Sequence, residues 1–184
     1  MTRFAAIFTA LAIFVSAPAA LAQQGRPTPP PPGTGVPQPS AEENAAYLAK
    51  YAKQKGVIVR PSGLMFRIIH NGFGARPLPM DTVTVNYKGK MVNGYLFDGT
   101  SPGLPSSFKV TGVIAGWTEA LLSMRIGDRW ELVIPAKLAY GAIGHPDDIG
   151  PNQTVIFDVE LLDSKPPPKK GEKGYVPQPG EPKN

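Results

Sequence analysis

Apolar and polar residues alternate along much of the chain between residues 57 and 164. Val83, Val85 and Tyr87, for example, are separated by polar residues, so their side chains would share one face of a strand. Strands with one apolar and one polar face are typical of antiparallel sheets that cover a core on one side. The strand-like runs are 63–70, 82–89, 90–97, 106–110, 129–135 and 154–163.

A helix is predicted ahead of the strands, over residues 41–56. Ser40 followed by Glu43 matches a capping box, and Gly56 supplies a stop signal at the other end. Good helix formers lie between these signals, and their apolar side chains recur at helical spacing on one side. We therefore expect a short helix that docks an aromatic face. The residues on that face are Tyr47, Leu48, Tyr51 and Ala52.

The second helical segment lies inside the array of strands, in the run GWTEALLSM at 116–124. Its apolar side chains, led by Trp117, fall on one face, which makes Trp117 a core residue in the simplest interpretation. Asn93 and Gly94 favour a tight hairpin turn. A mostly antiparallel sheet covered by one helix is an α+β arrangement.

Both ends of the chain are rich in proline. Seven of the 22 prolines lie in 23–40 and six lie in 165–184. These segments carry too little apolar surface to offset the entropy of ordering them. We expect a disordered Pro-rich linker over 23–40 and a disordered Pro/Lys-rich tail over 165–184, which leaves 57–164 as the single folded domain behind the helix.

The first residues have the pattern of a secretory signal peptide. One cation, Arg3, precedes an apolar run over 4–15 in which Thr9 is the one polar residue, and an A-x-A arrangement follows at 20–22. A membrane anchor is the alternative, but the run is short of the roughly 20 residues that span a bilayer. The pattern predicts cleavage before Gln23, an exported, periplasmic or secreted protein, and no stable insertion in the membrane.

The charge of the chain does not indicate a nucleic-acid-binding surface. Lys and Arg outnumber Asp and Glu by 19 to 14, yet residues 41–164 hold twelve of each. The formal net charge of +5 therefore comes from the two ends. A basic excess on solvated tails of an exported protein argues against a nucleic-acid partner.

Motifs for metal-dependent or nucleophilic chemistry are absent from the sequence. The chain has no cysteine and two histidines, His70 and His145, and none of the common phosphate-binding, zinc-protease or serine-hydrolase motifs occurs. A metal would need Asp147 and Asp148 beside His145, an arrangement that is more often a solvated loop. We expect no metal and no other cofactor.

Three stretches carry a resemblance to a known family: VTVNYKGKMVNGYLFDGT, VIAGWTEALLSMRIGDRWELVIPAKLAYGAIGHP and NQTVIFDVELLD. In this order and spacing, the chain resembles the FKBP-type (macrolide-binding) peptidyl-prolyl cis-trans isomerases from about Val57 to Asp163. PSGLMFRII, WTEAL and IGDRWEL are most similar to the exported bacterial branch related to macrophage infectivity potentiators. The resemblance implies an α+β fold in which a five-stranded antiparallel sheet wraps around one short helix.

The resemblance also implies the residues of a cleft that binds the proline of a substrate. Trp117 would form its floor, the N–H of Ile114 and the hydroxyl of Tyr140 would donate to substrate carbonyls, and His145 would shape a wall rather than act as an acid or base. Asp98 either accepts a hydrogen bond at the pocket or caps the turn before Gly99. The implied catalytic residues are Tyr87, Phe97, Asp98, Trp117 and Tyr140, and the substrate-binding residues are Phe108, Val113, Ile114, His145, Ile149 and Phe157.

Three departures from the family pattern affect these expectations. The loop GTSPGLPSS after Asp98 lacks the basic residue often found there, which puts an ion pair to Asp98 in doubt. Phe108 is the one aromatic residue of its strand, where many members have two, so the wall is thinner at Ser106. The run HPDDIGPN should make the overhanging loop more polar and more mobile.

Two classes of function follow. The first is an isomerase that accelerates X-Pro rotation in unfolded or partly folded polypeptides, with an apolar residue favoured before proline and with macrolides as inhibitors. The second is a chaperone or peptide-binding module that uses the same cleft with little turnover. The exported branch often dimerises through a long helical region, whereas only the segment 41–55 precedes this domain, so a monomer is expected.

Overall fold

The computed structural model describes residues 35–146, 148–170 and 172–173. Seven strands and two α-helices lie within these residues. The helices are α1 (Ala41–Tyr51) and α2 (Ala115–Leu121). The strands are β1 (Val57–Val59), β2 (Met65–His70), β3 (Thr82–Met91), β4 (Leu96–Gly99), β5 (Ser106–Lys109), β6 (Arg129–Ile134) and β7 (Val155–Lys165).

All strands form one antiparallel sheet in the order β1, β2, β6, β7, β3, β4, with β5 also paired to β3. β4 and β5 occupy the same edge of β3, because β4 pairs with Lys88 to Lys90 and β5 pairs with Thr82 to Val85. Without the three-residue β1, the sheet is therefore five positions wide. The predicted α+β fold, an antiparallel sheet with one short helix against it, is confirmed.

The two predicted runs 82–89 and 90–97 divide at a different place. β3 continues to Met91, and β4 begins only at Leu96. The predicted turn joins them: the Met91 N–H donates to the Tyr95 carbonyl at 2.9 Å, and Gly94 has a φ of +89°. That left-handed φ favours glycine, as the Asn-Gly pair indicated.

The core lies between α2 and the inward face of the sheet. Trp117, Leu121 and Met124 are buried against side chains of β2, β3, β6 and β7. The helix sits so close to β6 that a Cβ on Gly116 would lie 2.5 Å from the Cγ2 of Ile134. This close approach fixes the first turn of α2, and with it Trp117, over the sheet.

Helix α1 begins as predicted. The Glu43 N–H donates to the Ser40 Oγ at 3.1 Å, and the Ser40 N–H donates to a Glu43 carboxylate oxygen at 2.6 Å, which completes the capping box. The predicted end at Gly56 is wrong, because the α-helix ends at Tyr51. Tighter turns follow, and they bring the chain to Val57, where β1 starts to pair with β2.

The aromatic face of α1 packs on the outer face of the sheet. Tyr51 is 2% exposed and contacts Val133 and Ile156. Its hydroxyl donates to a carboxylate oxygen of Glu131 at 3.0 Å. Burial, followed by the charge of Glu131, raises the pKa of Tyr51 well above its usual range.

This raised pKa predicts a loss of stability in alkali. Above about pH 10 an unfolded tyrosine releases its proton while the folded Tyr51 keeps it, so rising pH favours the unfolded state. In urea titrations above pH 10, the unfolding free energy should fall more steeply for the wild type than for Tyr51→Phe, by at most about 1.4 kcal/mol per pH unit. Equal slopes would contradict a buried, neutral Tyr51.

Residues 35–40, the end of the predicted linker, contact the domain. Pro39 is buried, and its carbonyl accepts a hydrogen bond from the Gln153 side chain at 3.1 Å. The carbonyl of Pro37 accepts one from Asn93 at 2.9 Å. Three predicted segments lie outside the described residues: the signal peptide, the rest of the linker and most of the C-terminal tail. Among the residues that the structure describes, no helix is long and apolar enough to cross a membrane.

Candidate active site

A cleft of about 410 Å³ opens above the first turn of α2. It lies between the inward face of the sheet, the segment that leads into α2 and the segment that follows β6. Its lining is mostly aromatic and aliphatic, and Asp98 is its one charged residue. The lining residues are Tyr87, Asp98, Phe108, Gly112, Val113, Ile114, Trp117, Tyr140 and Phe157.

Trp117 forms the floor of this cleft. It is 4% exposed, and three aromatic rings meet it edge to face. The ring centroids of Phe157, Tyr87 and Phe108 lie 5.2, 5.3 and 6.0 Å from the Trp117 ring, at interplanar angles of 87°, 89° and 82°. Edge-to-face contacts of this kind are favourable, and here they hold the indole in one orientation.

The aromatic walls approach the sheet at Gly89 of β3. A Cβ at this position would lie 2.7 Å from the Phe157 ring and 2.8 Å from the Phe97 ring. Phe97 packs edge to face on Phe157, with ring centroids 5.5 Å apart. Gly89 therefore leaves the space in which these two rings stand, a role that strand periodicity alone does not reveal.

Tyr87 and Asp98 form a polar pair at the rim. The Tyr87 hydroxyl donates to the Asp98 Oδ2 at 2.7 Å, and the Gly99 N–H donates to the Asp98 Oδ1 at 2.7 Å. Asp98 therefore makes both of the contacts that the sequence left as alternatives, at the pocket and at the turn. No cation among the described residues forms an ion pair with Asp98.

The N–H of Ile114 and the hydroxyl of Tyr140 are hydrogen-bond donors at the cleft that have no partner among the described residues. Ile114 is the residue before α2, so its N–H lies at the start of the helix and beside the Trp117 floor. Both donors can therefore bind acceptors of a ligand, since protein groups do not already occupy them.

The two tyrosines at the cleft remain neutral donors over the physiological pH range. Burial, then the hydrogen bond and charge of Asp98, raises the pKa of Tyr87 well above its usual range. Burial, followed by the charge of Asp98, also raises the pKa of Tyr140. Neither hydroxyl is therefore a proton acceptor at neutral pH.

A loop after Tyr140 overhangs the cleft. The His145 ring packs against the Tyr140 ring with centroids 5.3 Å apart. The His145 N–H donates to the Ile149 carbonyl at 2.7 Å, and Ile149 is 4% exposed. Gly144 has a φ of +77°, and a Cβ there would collide with the Ile149 carbonyl oxygen. Glycine is therefore required for this close turn.

The alternative of a metal at His145 gains no support from the described residues. They contain no cluster of three or more His, Cys, Asp or Glu side chains that could hold a metal ion. Asp147, which that alternative needs, lies outside them.

Comparisons with known proteins identify the family. A family model described as FKBP-type peptidyl-prolyl cis-trans isomerase matches residues 74–162. A crystal structure of a peptidyl-prolyl cis-trans isomerase from Pseudomonas syringae is 33% identical, with a TM-score of 0.63, and the match covers 71% of this chain and 98% of that one. This chain belongs to the FKBP-type peptidyl-prolyl cis-trans isomerase family.

Relatives from other bacteria are more similar in sequence but longer. The FKBP-type isomerase FkpA of Escherichia coli is 49% identical over 124 residues, which are 67% of this chain and 46% of FkpA. The outer membrane protein MIP of Legionella longbeachae is 47% identical over 132 residues, 68% of this chain and 56% of MIP. The resemblance to macrophage infectivity potentiators is confirmed, and the chain spans about half the length of these curated relatives.

The FKBP-type residues named from the sequence mostly meet at the cleft. Phe97 packs edge to face on the wall residue Phe157 and does not itself line the cleft. His145 and Ile149 lie in the overhanging loop. Gly89 and Gly112 were not predicted, although Gly89 lies in a stretch that carries the resemblance and Gly112 directly precedes another. The eight predicted residues that line the cleft are Tyr87, Asp98, Phe108, Val113, Ile114, Trp117, Tyr140 and Phe157.

Proposed function

We propose that this chain catalyses the cis-trans isomerisation of X-Pro peptide bonds. The observation that carries the proposal is the floor of the cleft, where a buried Trp117 is held by three aromatic rings. A flat apolar floor with aromatic walls fits a prolyl ring. The family to which the chain belongs, and the names of its relatives, support the same reaction.

The chemistry needs no nucleophile. The X-Pro amide is planar because its nitrogen donates into the carbonyl, which gives a rotation barrier of about 18–20 kcal/mol. In the twisted transition state this conjugation is lost, so the carbonyl is less dipolar than in the planar amide. A dry apolar cleft therefore stabilises the twisted amide relative to the planar one without making a bond.

The remaining residues of the cleft position the substrate chain and exclude water. The free donors, the Ile114 N–H and the Tyr140 hydroxyl, would bind carbonyl groups on either side of the proline. The hydrogen bond to Asp98 would fix the Tyr87 ring at the rim, and Phe97 would support the wall. Val113 and Phe108 would complete the apolar surface around the prolyl ring.

His145 has a positioning role in this proposal, because its ring packs on Tyr140 at the edge of the cleft. The His145→Ala variant should lose about threefold in kcat/KM, and the wild-type rate should be nearly flat from about pH 6 to 8. Kinetics across this range, with both proteins, measure the effect. A steep rise in rate with a midpoint near pH ~6.5 that disappears in His145→Ala would instead identify a general base, and a steep fall would identify a general acid.

The proposed substrates are unfolded or partly folded polypeptides that contain proline, with apolar residues favoured before it by the aromatic walls. Macrolide inhibitors are proposed ligands of the same cleft, on the basis of the family. The chaperone alternative uses the same surface, but no observation in the structure favours it over the isomerase.

A refolding assay separates the two functions. Wild-type chain should accelerate the slow, proline-limited refolding phase of a client protein when present in substoichiometric amounts. It should not suppress aggregation of a client that lacks proline. Suppression of aggregation without any acceleration would support the peptide-binding module and refute the isomerase.

Export to the periplasm or exterior is proposed from the signal-peptide pattern of residues 1–22, and the name outer membrane protein MIP of one relative agrees with it. Expressed in a bacterium with its full sequence, the protein should be recovered outside the cytoplasm with Gln23 as its first residue. N-terminal sequencing measures this. A product that retains Met1 would contradict the proposal.

A monomer is the proposed assembly state. The apolar face of α1 is already covered within the chain, because Tyr51 packs on Val133 and Ile156. This helix therefore offers little apolar surface to a second copy compared with a standard interface.

A further inference from the structure

Residues 36–44, which we call the N-terminal brace, contact the far side of the loop that overhangs the cleft. The brace comprises the end of the proline-rich segment and the first turn of α1. Its contacts span more than 100 positions of sequence, since they join Gln38 and Asn44 to residues 148–154. The brace is thus a tertiary element of the domain.

Gln38 binds the loop through both ends of its side-chain amide. Its Oε1 accepts a hydrogen bond from the Gly150 N–H at 2.9 Å, and its Nε2 donates to the Asp148 carbonyl at 3.0 Å. The two bonds flank Ile149, in the manner of a neighbouring strand. Ile149 is itself paired with His145 through the backbone, so Gln38 restrains the segment that carries both residues.

Two buried side-chain amides also join the brace to the residues that follow Gly150. The Asn44 Nδ2 donates to the Gln153 Oε1 at 3.0 Å, and the Asn44 Oδ1 accepts from the Thr154 N–H at 2.8 Å. The Gln153 Nε2 donates to the Pro39 carbonyl at 3.1 Å. Asn44 and Gln153 are 6% and 7% exposed, so these hydrogen bonds are shielded from water and costly to break.

The hairpin between β3 and β4 also contacts the brace and the loop. Asn93 donates to the Pro37 carbonyl at 2.9 Å, and the Tyr95 hydroxyl lies 3.4 Å from the Asp148 Oδ1. The brace therefore lies between this hairpin and the loop, and it contacts both. A shift of the brace would release the loop on the side away from the cleft.

We infer that Gln38 is a positioning residue for the proposed isomerase: it holds the loop so that His145 and Ile149 keep their places at the edge of the cleft. This inference rests on the proposed function. It assigns a role in catalysis to a segment that precedes the part of the chain resembling the family and that makes no contact with the cleft itself. The buried hydrogen bonds of Asn44 and Gln153 hold the brace in place, so that Gln38 stays in contact with the loop.

The test compares Gln38→Ala with a matched variant, Gln54→Ala, in the full chain. Gln54 is an exposed glutamine whose side chain has no hydrogen bond among the described residues. Gln38→Ala should lower kcat/KM by about threefold to tenfold, mainly through KM, because the loop contacts the bound chain rather than the twisted amide. The Gly150 amide should exchange with solvent at least about tenfold faster by NMR. Gln54→Ala should change neither quantity.

A double-mutant cycle checks that the effect passes through the Gln38–Gly150 contact. A Cβ on Gly150 would lie 3.0 Å from the Gln38 Oε1, so Gly150→Ala should displace the Gln38 amide. Its effect on kcat/KM should largely disappear in the Gln38→Ala background. Equal losses in both backgrounds would overturn the inference, as would unchanged Gly150 exchange in Gln38→Ala.

The outcomes also separate this inference from the proposed function. A wild-type chain that does not accelerate X-Pro isomerisation would refute the function. An active wild type with unchanged kcat/KM in Gln38→Ala would refute the inference alone. The Tm of Gln38→Ala should stay within about 4 °C of wild type, because the side chain is exposed. A larger fall in Tm with unchanged Gly150 exchange would mean a structural role elsewhere.

Discussion

Replacing Trp117 with alanine should remove most of the isomerase activity, about 100-fold in kcat/KM, which corresponds to about 2.7 kcal/mol of barrier. The substitution takes away the floor of the cleft and admits water to the place where the twisted amide would be stabilised. Because Trp117 is 4% exposed and packed by three rings, the unfolding free energy should also fall by about 3–5 kcal/mol.

Trp130 provides the matched control for this experiment. It too is 4% exposed, but its ring stacks on Phe66 at 4.3 Å, away from the cleft. Trp117→Phe and Trp130→Phe should cost similar stability by urea denaturation, yet only Trp117→Phe should lose activity beyond about threefold. Equal activities of these two folded variants would contradict the role proposed for Trp117. The phenylalanine variants provide this test even if Trp117→Ala fails to fold.

The second large effect is expected at Asp98. Asp98→Ala removes the acceptor of the Tyr87 hydroxyl and the partner of the Gly99 N–H, so Tyr87 loses its fixed orientation at the rim. We expect kcat/KM to fall about tenfold, as for a misplaced binding group. Since Asp98 is exposed, the loss of stability should stay below about 1 kcal/mol.

Asp98→Asn and Tyr87→Phe refine this prediction. The asparagine keeps an acceptor for Tyr87 and should recover most of the activity. Tyr87→Phe removes the same hydrogen bond from the other side, so the loss in the double variant Tyr87→Phe, Asp98→Ala should be smaller than the sum of the single losses. Additive losses in the cycle would show that Asp98 acts on the substrate independently of Tyr87.

Local patterns predicted the secondary structure well where the interactions themselves are local. The capping box at Ser40 and Glu43 and the turn at Gly94 involve residues only a few positions apart, and both are present. The end of α1 was misplaced because the chain must leave the helix in time for Val57 to pair in β1. That requirement comes from strand pairing in the folded chain, and β1 is too short to show the alternation of apolar and polar residues that predicts a strand.

The cleft could be predicted only with the family resemblance. Alternation marks Tyr87 and Phe157 as inward-facing residues, but it does not say that their rings meet over Trp117. The positioning role proposed for His145 rests on the resemblance as well, and the structure adds its contact with Tyr140. Chemical motifs could not reveal the site, since the proposed reaction needs no nucleophile or metal.

The close contacts made by glycines and by the brace were out of reach of the sequence. Gly89 looks like an ordinary interruption of a strand until the rings of Phe97 and Phe157 are placed against it. Gln38 and Asn44 lie in or next to a segment predicted as a disordered linker, yet they bind residues more than 100 positions away. Periodicity carries no information about contacts between such distant parts of a chain.

The central claim, that the cleft accelerates rotation of a prolyl amide, can be measured directly by NMR exchange spectroscopy. The substrate is a short peptide with a single Phe-Pro bond, whose uncatalysed cis-trans exchange takes tens of seconds or longer. Substoichiometric wild-type chain should produce exchange peaks between the cis and trans signals within a fraction of a second, and Trp117→Phe should weaken them. Peptide binding at the cleft with an unchanged exchange rate would contradict the claim.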